Sequence, residues 1–204
     1  MTSREQESEQ RAAQASLSAD SGVRKLFFHE DDYCMLELVL PGRKDEVDEE
    51  MGRIASFSEE HRTEAGYTDL YVRKEDAGGL TQLGIDVAGI GAAVASFAQP
   101  YDAVTTGYGS SYRVECPQIQ AFGPNEETVL FCEHKNGTLY KAWLTLEFED
   151  RDRYEWSLKL LRTLAGLAPF ALADWSWGVH LELRDDAALV AYLNDYLGEE
   201  SETL

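Results

Sequence analysis

The sequence predicts a single α+β domain, with a mostly antiparallel sheet of about six strands and three to four packed helices. Three observations carry this. In residues 126–148, two runs rich in β-branched, aromatic and aliphatic side chains flank Lys135-Asn136-Gly137-Thr138; a type I′ hairpin turn needs positive φ at both central residues, and Asn-Gly supplies it most readily. Helical periodicity falls before, between and after runs of strand alternation, the arrangement of a mixed α+β domain. The 204 residues are 44% hydrophobic and 11% aromatic, enough to bury a core without staples.

Residues 1–22 are polar, with Leu17 almost alone among large apolar groups, and predict a flexible tail before a domain spanning 23–198. Leu26-Phe27-Phe28 opens an apolar run, His29-Glu30-Asp31-Asp32 is a short acidic turn, and Tyr33–Leu40 alternates as a strand that Pro41-Gly42 ends. Asp45–Ala65 reads as an amphipathic helix with Val47, Met51, Ile54, Ala55 and Phe57 or Ser58 near one stripe and carboxylates in its first turns, where the macrodipole favours them. Gly66 suits the helix end. Tyr67–Lys74 alternates as a second strand, closed by a loop over Asp76–Gly79. Ile85–Ala98 predicts a small-residue helix capped by Asp86 and stopped before Pro100.

Tyr101–Thr106 and Tyr112–Phe122 predict strands around a Gly107–Ser111 loop, with Pro117 marking an edge or a bulge in the second. The hairpin follows. A plain two-residue turn pairs Lys135 with Thr138, Glu133 with Tyr140, Phe131 with Ala142 and Val129 with Leu144, and places His134, Cys132 and Leu130 opposite Leu139, Lys141 and Trp143 on the other face. Both faces carry large apolar groups, so the hairpin belongs inside a sheet covered on each side. Asp152–Leu167 is a helix with Tyr154, Leu158, Leu161, Leu164 and Ala165 at helical spacing. Trp175–Leu183 reads as a strand, Asp185–Leu197 as a last helix, and 199–204 as an acidic tail.

The charge balance narrows the function classes. With 38 acidic against 18 basic residues, the net charge is −20; such a field repels nucleic acid and anionic membrane and speeds encounter with basic partners. Cys34, Cys116 and Cys132 are odd in number and lack close CxxC spacing, which predicts reduced, buried thiols and a cytoplasmic setting. No signal-peptide h-region and no bilayer-length apolar run is present, so no targeting or membrane anchoring is expected.

Cys132 and His134 share a strand face, but a closed zinc site needs four ligands, and Cys116, His29, His61 and His180 lack companion spacing. Thr106–Tyr112 (TGYGSSY) has the glycines and hydroxyls of a phosphate loop without the Lys-Ser/Thr leading into a helix. There is no nucleophile elbow, and the carboxylate doublets read as caps or solvated faces. No catalytic residue, metal or cofactor is assigned. An enzymatic or small-ligand alternative would use a pocket between the Gly107–Ser111 loop and the Trp175–His180 strand, with His180 as general base.

Collective charge stands out. Residues 44–65 hold eight carboxylates against three basic residues, and 184–204 hold six against one. An acidic face can dock a basic protein, with aromatics inside it as anchors, for which Tyr67, Tyr71, Tyr108 and Tyr112 are candidates. The candidate partner-binding set is Asp31, Asp32, Asp45, Glu46, Asp48 and Glu49 with Tyr67, Tyr108 and Tyr112. The strand entered through HEDDYCMLEL (His29–Leu38), the FSEEH helix segment followed by LYVR (Leu70–Arg73), and DWSWGVHLEL (Asp174–Leu183) leading to LVAYL (Leu189–Leu193) resemble the immunity proteins that bacteria keep against their own toxins. That resemblance implies a protein that binds and neutralises a cognate toxin; the charge implies that the toxin is basic. An acidic chaperone or adaptor for a secreted effector is the alternative interaction reading.

Overall fold

The computed structural model describes residues 22–64, 66–73, 79–108, 112–146 and 151–202. Residues 1–21 of the expected N-terminal tail, Lys74, most of the Asp76–Gly79 loop and the last two residues lie outside them. Asn136 and Gly137 take positive φ, 54° and 86°, and join β9 (Thr128–Lys135) to β10 (Thr138–Leu146). Around this hairpin runs a seven-stranded antiparallel sheet in the order β12 (Val179–Glu182), β11 (Ala171–Asp174), β2 (Leu36–Val39), β10, β9, β8 (Ile119–Gly123) and β5 (Gln99–Pro100). The fold is the expected single α+β domain, with four α-helices among the described residues.

One face of the sheet carries three helices: α2 (Val87–Val94), α3 (Arg151–Leu167) and α4 (Asp186–Glu202). Leu38, Leu130, Leu144 and Leu172 from the sheet meet Ile90, Leu161 and Leu193 from the helices in the largest core. Asp86 caps α2 as expected, its carboxylate accepting from the Ala88 amide at 2.9 Å. Two bodies share the opposite face. A small sheet of β1 (Lys25–His29), β6 (Ala103–Gly107) and β7 (Arg113–Glu115), with β1 and β6 parallel, covers Phe131 and Trp143. Those two rings stack at 5.0 Å, and Phe28 meets both edge-on. Beside it, α1 (Lys44–His61) rests on Val39, Ala171, Ala173 and Trp175 through Val47 and Met51.

The hairpin register differs from expectation by one residue. Thr138 pairs with Lys135 and Leu139 with His134, but then Lys141 pairs with Glu133, Ala142 with Cys132 and Trp143 with Phe131, because Tyr140 is bulged out. Its freed carbonyl accepts the Leu80 amide at 2.7 Å. The physical reason lies in Lys141. Without the bulge, Lys141 and Trp143 would share the helix-covered face with Leu139; with it, that face keeps Leu139, Ala142 and Leu144, and Lys141 reaches polar partners on the other.

Four further expectations are corrected. Tyr112–Phe122 is two strands in two different sheets, because Pro117 ends β7's direction and Cys116-Pro117-Gln118 turns the chain into β8. Trp175–Gly178 is a turn rather than strand: the Asp174 carboxylate accepts from the Ser176 and Trp177 amides, both at 3.0 Å, and Gly178 takes φ +66°. Strand character lies on either side, in β11 and β12. Of Tyr67–Lys74, only Tyr67 is strand, in a two-stranded ribbon of β3 (Arg62–Thr63) and β4 (Gly66–Tyr67); 68–73 forms no ladder among the described residues. The α4 helix also continues to Glu202, past the expected end at Leu197.

Candidate functional site

Between α1 and the turn at residues 30–35 lies an open cleft of about 770 Å³, floored by β2 and by Tyr140 and Lys141 at the bulge. Its acidic wall follows from how thinly α1 is buried. Of its 18 residues only Val47 and Met51 are buried, so Asp45, Glu46, Asp48 and Glu49 all face water. Neighbouring cations hold these carboxylates in place: Arg43 pairs with Glu46, Lys44 with Asp48, and Arg53 with both Glu49 and Glu50. Helix spacing of three or four residues puts each pair on one face.

The cleft floor is polar and internally bonded. Arg73 donates to Glu37 Oε2 at 3.1 Å and to the Cys34 carbonyl at 2.8 Å, while its guanidinium lies 4.1 Å from the Trp175 ring centre. Trp175 Nε1 also donates to Glu37 Oε2, at 3.1 Å. Next to this group, the buried Lys141 donates to Tyr33 Oη at 3.2 Å, and Tyr33 donates to Glu133 at 2.7 Å. Towards the helix, Tyr71 donates to Glu50 Oε1 at 3.0 Å. Burial pushes the Glu50 carboxyl up, yet hydrogen bonds from Arg53 and Tyr71 outweigh it and hold its pKa below the ordinary value.

The sequence-derived candidates fall into separate groups. Asp31, Glu46 and Glu49 line the cleft together. Asp32 lines a smaller neighbour of about 370 Å³ with Asp174 and Trp177, which Asp31 also borders, and burial raises the Asp32 pKa. Asp45 and Asp48 stand on exposed positions of α1 outside the cleft lining. Tyr112 donates to Glu30, a cleft residue, and the exposed Tyr108 packs against His29 at 4.7 Å, so both tyrosines flank the turn-side wall. Tyr67 is 61% exposed on β4, beyond the C-terminal end of α1.

Tyr33, Glu37, Glu50, Arg73 and Trp175 were not singled out by sequence. Lys141, in the otherwise apolar YKAWL run, was the one local signal available. His180 sits on β12 against α1 and lines neither cleft; its Nε2 is buried without a hydrogen-bond partner, and burial lowers its pKa, helped by Lys44 and opposed by Asp48 and Glu182. Gly107 ends β6, residues 109–111 of the loop expected to face His180 lie outside the described residues, and neither cleft is lined by Gly107 or His180. Cys132 is fully buried on the helix side, whereas His134 lies at the hairpin end, accepting from the Gly137 amide at 3.4 Å. Among the described residues no three His, Cys, Asp or Glu converge on a metal-sized site.

All three cysteines are free and buried, and burial raises each thiol pKa. No helix among the described residues is long and apolar enough to cross a membrane. No protein-family model, curated protein or solved structure matches the chain.

Proposed function

We propose that this chain is an immunity protein that binds a cognate basic toxin and neutralises it by occluding its active site in the cytoplasm. The observation that carries this reading is the open cleft whose wall presents Glu46 and Glu49 opposite Asp31, with the rings of Tyr108 and Tyr112 alongside. A nuclease holds phosphate with Lys and Arg, and carboxylates spread over a concave wall offer those cations an alternative set of anions. The exposed pairs on α1 favour exchange. Arg43 and Arg53 hold Glu46 and Glu49 in exposed pairs that contribute little net free energy, so a partner's cations can displace them.

Co-expression tests the function directly. If the reading is right, the chain restores growth to cells producing the toxin encoded immediately upstream of it, and the purified pair associates more slowly as salt rises. Replacing Glu46 and Glu49 together by Gln is expected to lower the association rate about tenfold with little change in dissociation. Absence of protection, or binding indifferent to ionic strength, counts against the reading.

A further inference from the structure

Residues 66–73 hold the three most exposed large hydrophobic side chains of the described chain: Tyr67 at 61%, Leu70 at 80% and Val72 at 83%. The segment alternates, as its sequence suggests, but it is inside out. Tyr71 and Arg73 turn inward. Tyr71 reaches Glu50 through its hydroxyl and lies edge-on to Phe57 at 5.4 Å, and Arg73 is held by Glu37, the Cys34 carbonyl and the Trp175 ring. These two polar pins fix the backbone while the aliphatic side chains of Leu70 and Val72 face water. A connection needing only to pass over the surface has no use for apolar groups there, since each forgoes the free energy of burial. Clustered exposure of this kind marks an interaction site where a lone surface leucine does not.

We infer that Leu70 and Val72 are the apolar anchor of the docking surface, and that the surface they take is the basic partner's, with an apolar centre ringed by Lys and Arg. This rests on the immunity reading and places its interface. Val72 lines the acidic cleft, and Asp69, Glu49 and Glu50 lie close along the chain or on the facing helix. An apolar spot inside an acidic rim complements a partner of that composition. Other occupants fit less well. Residues 1–21 carry four carboxylates, two arginines and, beyond Met1, a single large apolar side chain, Leu17; a second copy would bring another −20 charge.

The test uses the full chain and a labelled ten-residue peptide carrying Lys and Arg around a central Leu-Ser-Leu, with one control in which Ser replaces both Leu and another in which Glu replaces Lys and Arg. The wild-type chain is expected to bind the parent peptide at least about tenfold more tightly than either control. Leu70→Ser with Val72→Ser is expected to reduce that affinity to the level of the Ser control and to leave Tm unchanged, because both side chains are already exposed. Equal binding of parent and Ser control, or a double variant that binds as wild type, overturns the proposal. A large loss of Tm also overturns it, since that would mean that the chain itself covers these residues. Protection from the upstream toxin separates the two readings: a double variant that protects fully removes this interface and leaves the function standing, whereas a wild-type chain that fails to protect removes the function and leaves the peptide titration to decide the anchor.

Discussion

Glu37 gathers two donors from distant parts of the chain, Arg73 and Trp175, on one carboxylate oxygen. Glu37→Gln keeps an acceptor but removes the charge that pairs Arg73, and is expected to cost about 1–3 kcal/mol in denaturant unfolding. Glu50 sets the other pin. Its pKa is depressed in the folded chain, so its contact with Tyr71 contributes above the unfolded value and is lost as pH falls through the folded one. The ring environment of Tyr71, read by its NMR shifts, is therefore expected to change as pH falls through the glutamate titration, with Glu50→Gln showing the low-pH spectrum at pH 7. Glycines give a paired check. A Cβ on Gly79, at φ +50°, would lie 2.2 Å from the Tyr140 carbonyl, so Gly79→Ala is expected to destabilise by about 2 kcal/mol or more. Gly52 has open space on an exposed turn of α1, and Gly52→Ala is expected to stabilise by about 0.4–1 kcal/mol. Charge runs made Asp31, Glu46 and Glu49 visible in the sequence; Glu37 and Arg73 were not, because their partners lie 36 to 138 positions away.

At the scale of elements, the hairpin, its Asn136-Gly137 turn, and the helices with Asp86 or the Leu158–Leu161–Leu164 stripe were legible because local chemistry and burial agree. Register past the turn was not. Placing Lys141 away from the helices needs an extra residue at Tyr140, a requirement set by what packs on each face rather than by the turn. The inverted segment 67–73 misled for the opposite reason: its alternation is real, but the polar residues are the ones held inward. Burial also ranks the elements. Trp143 is fully buried against Phe131 and Phe28, and Trp143→Ala is expected to cost about 3–5 kcal/mol. Met51 is one of two buried residues on α1; Met51→Ala should cost about 2 kcal/mol and speed hydrogen exchange mainly in that helix. Equal loss of protection across β9 and β10 would show that α1 is part of the central folding unit instead.

Over the whole molecule, one field acts on two equilibria with opposite sign. A chain with a net charge of −20 repels itself when compact, so screening should favour the folded state. Screening also weakens attractive pairs, but those on α1 are exposed and contribute little, and the Arg73 and Glu37 pair in the cleft floor is screened less because it is partly buried. Self-repulsion therefore dominates. Raising sodium chloride from about 0.02 to 0.5 M, which shortens the Debye length from about 20 Å to about 4 Å, is expected to raise the Tm of the free chain by a few degrees. The same change should slow association with a basic partner, since the attraction that steers it is screened over the same range. Measuring both in one salt series separates this field from general salting-out: an excluded salt such as sulfate strengthens apolar burial in folding and at an apolar anchor alike, whereas chloride acting through charge must move the two in opposite directions. A Tm that falls with chloride would place the balance in the exposed ion pairs, and the acidic surface would then be held together by its own cations rather than held open for a partner's.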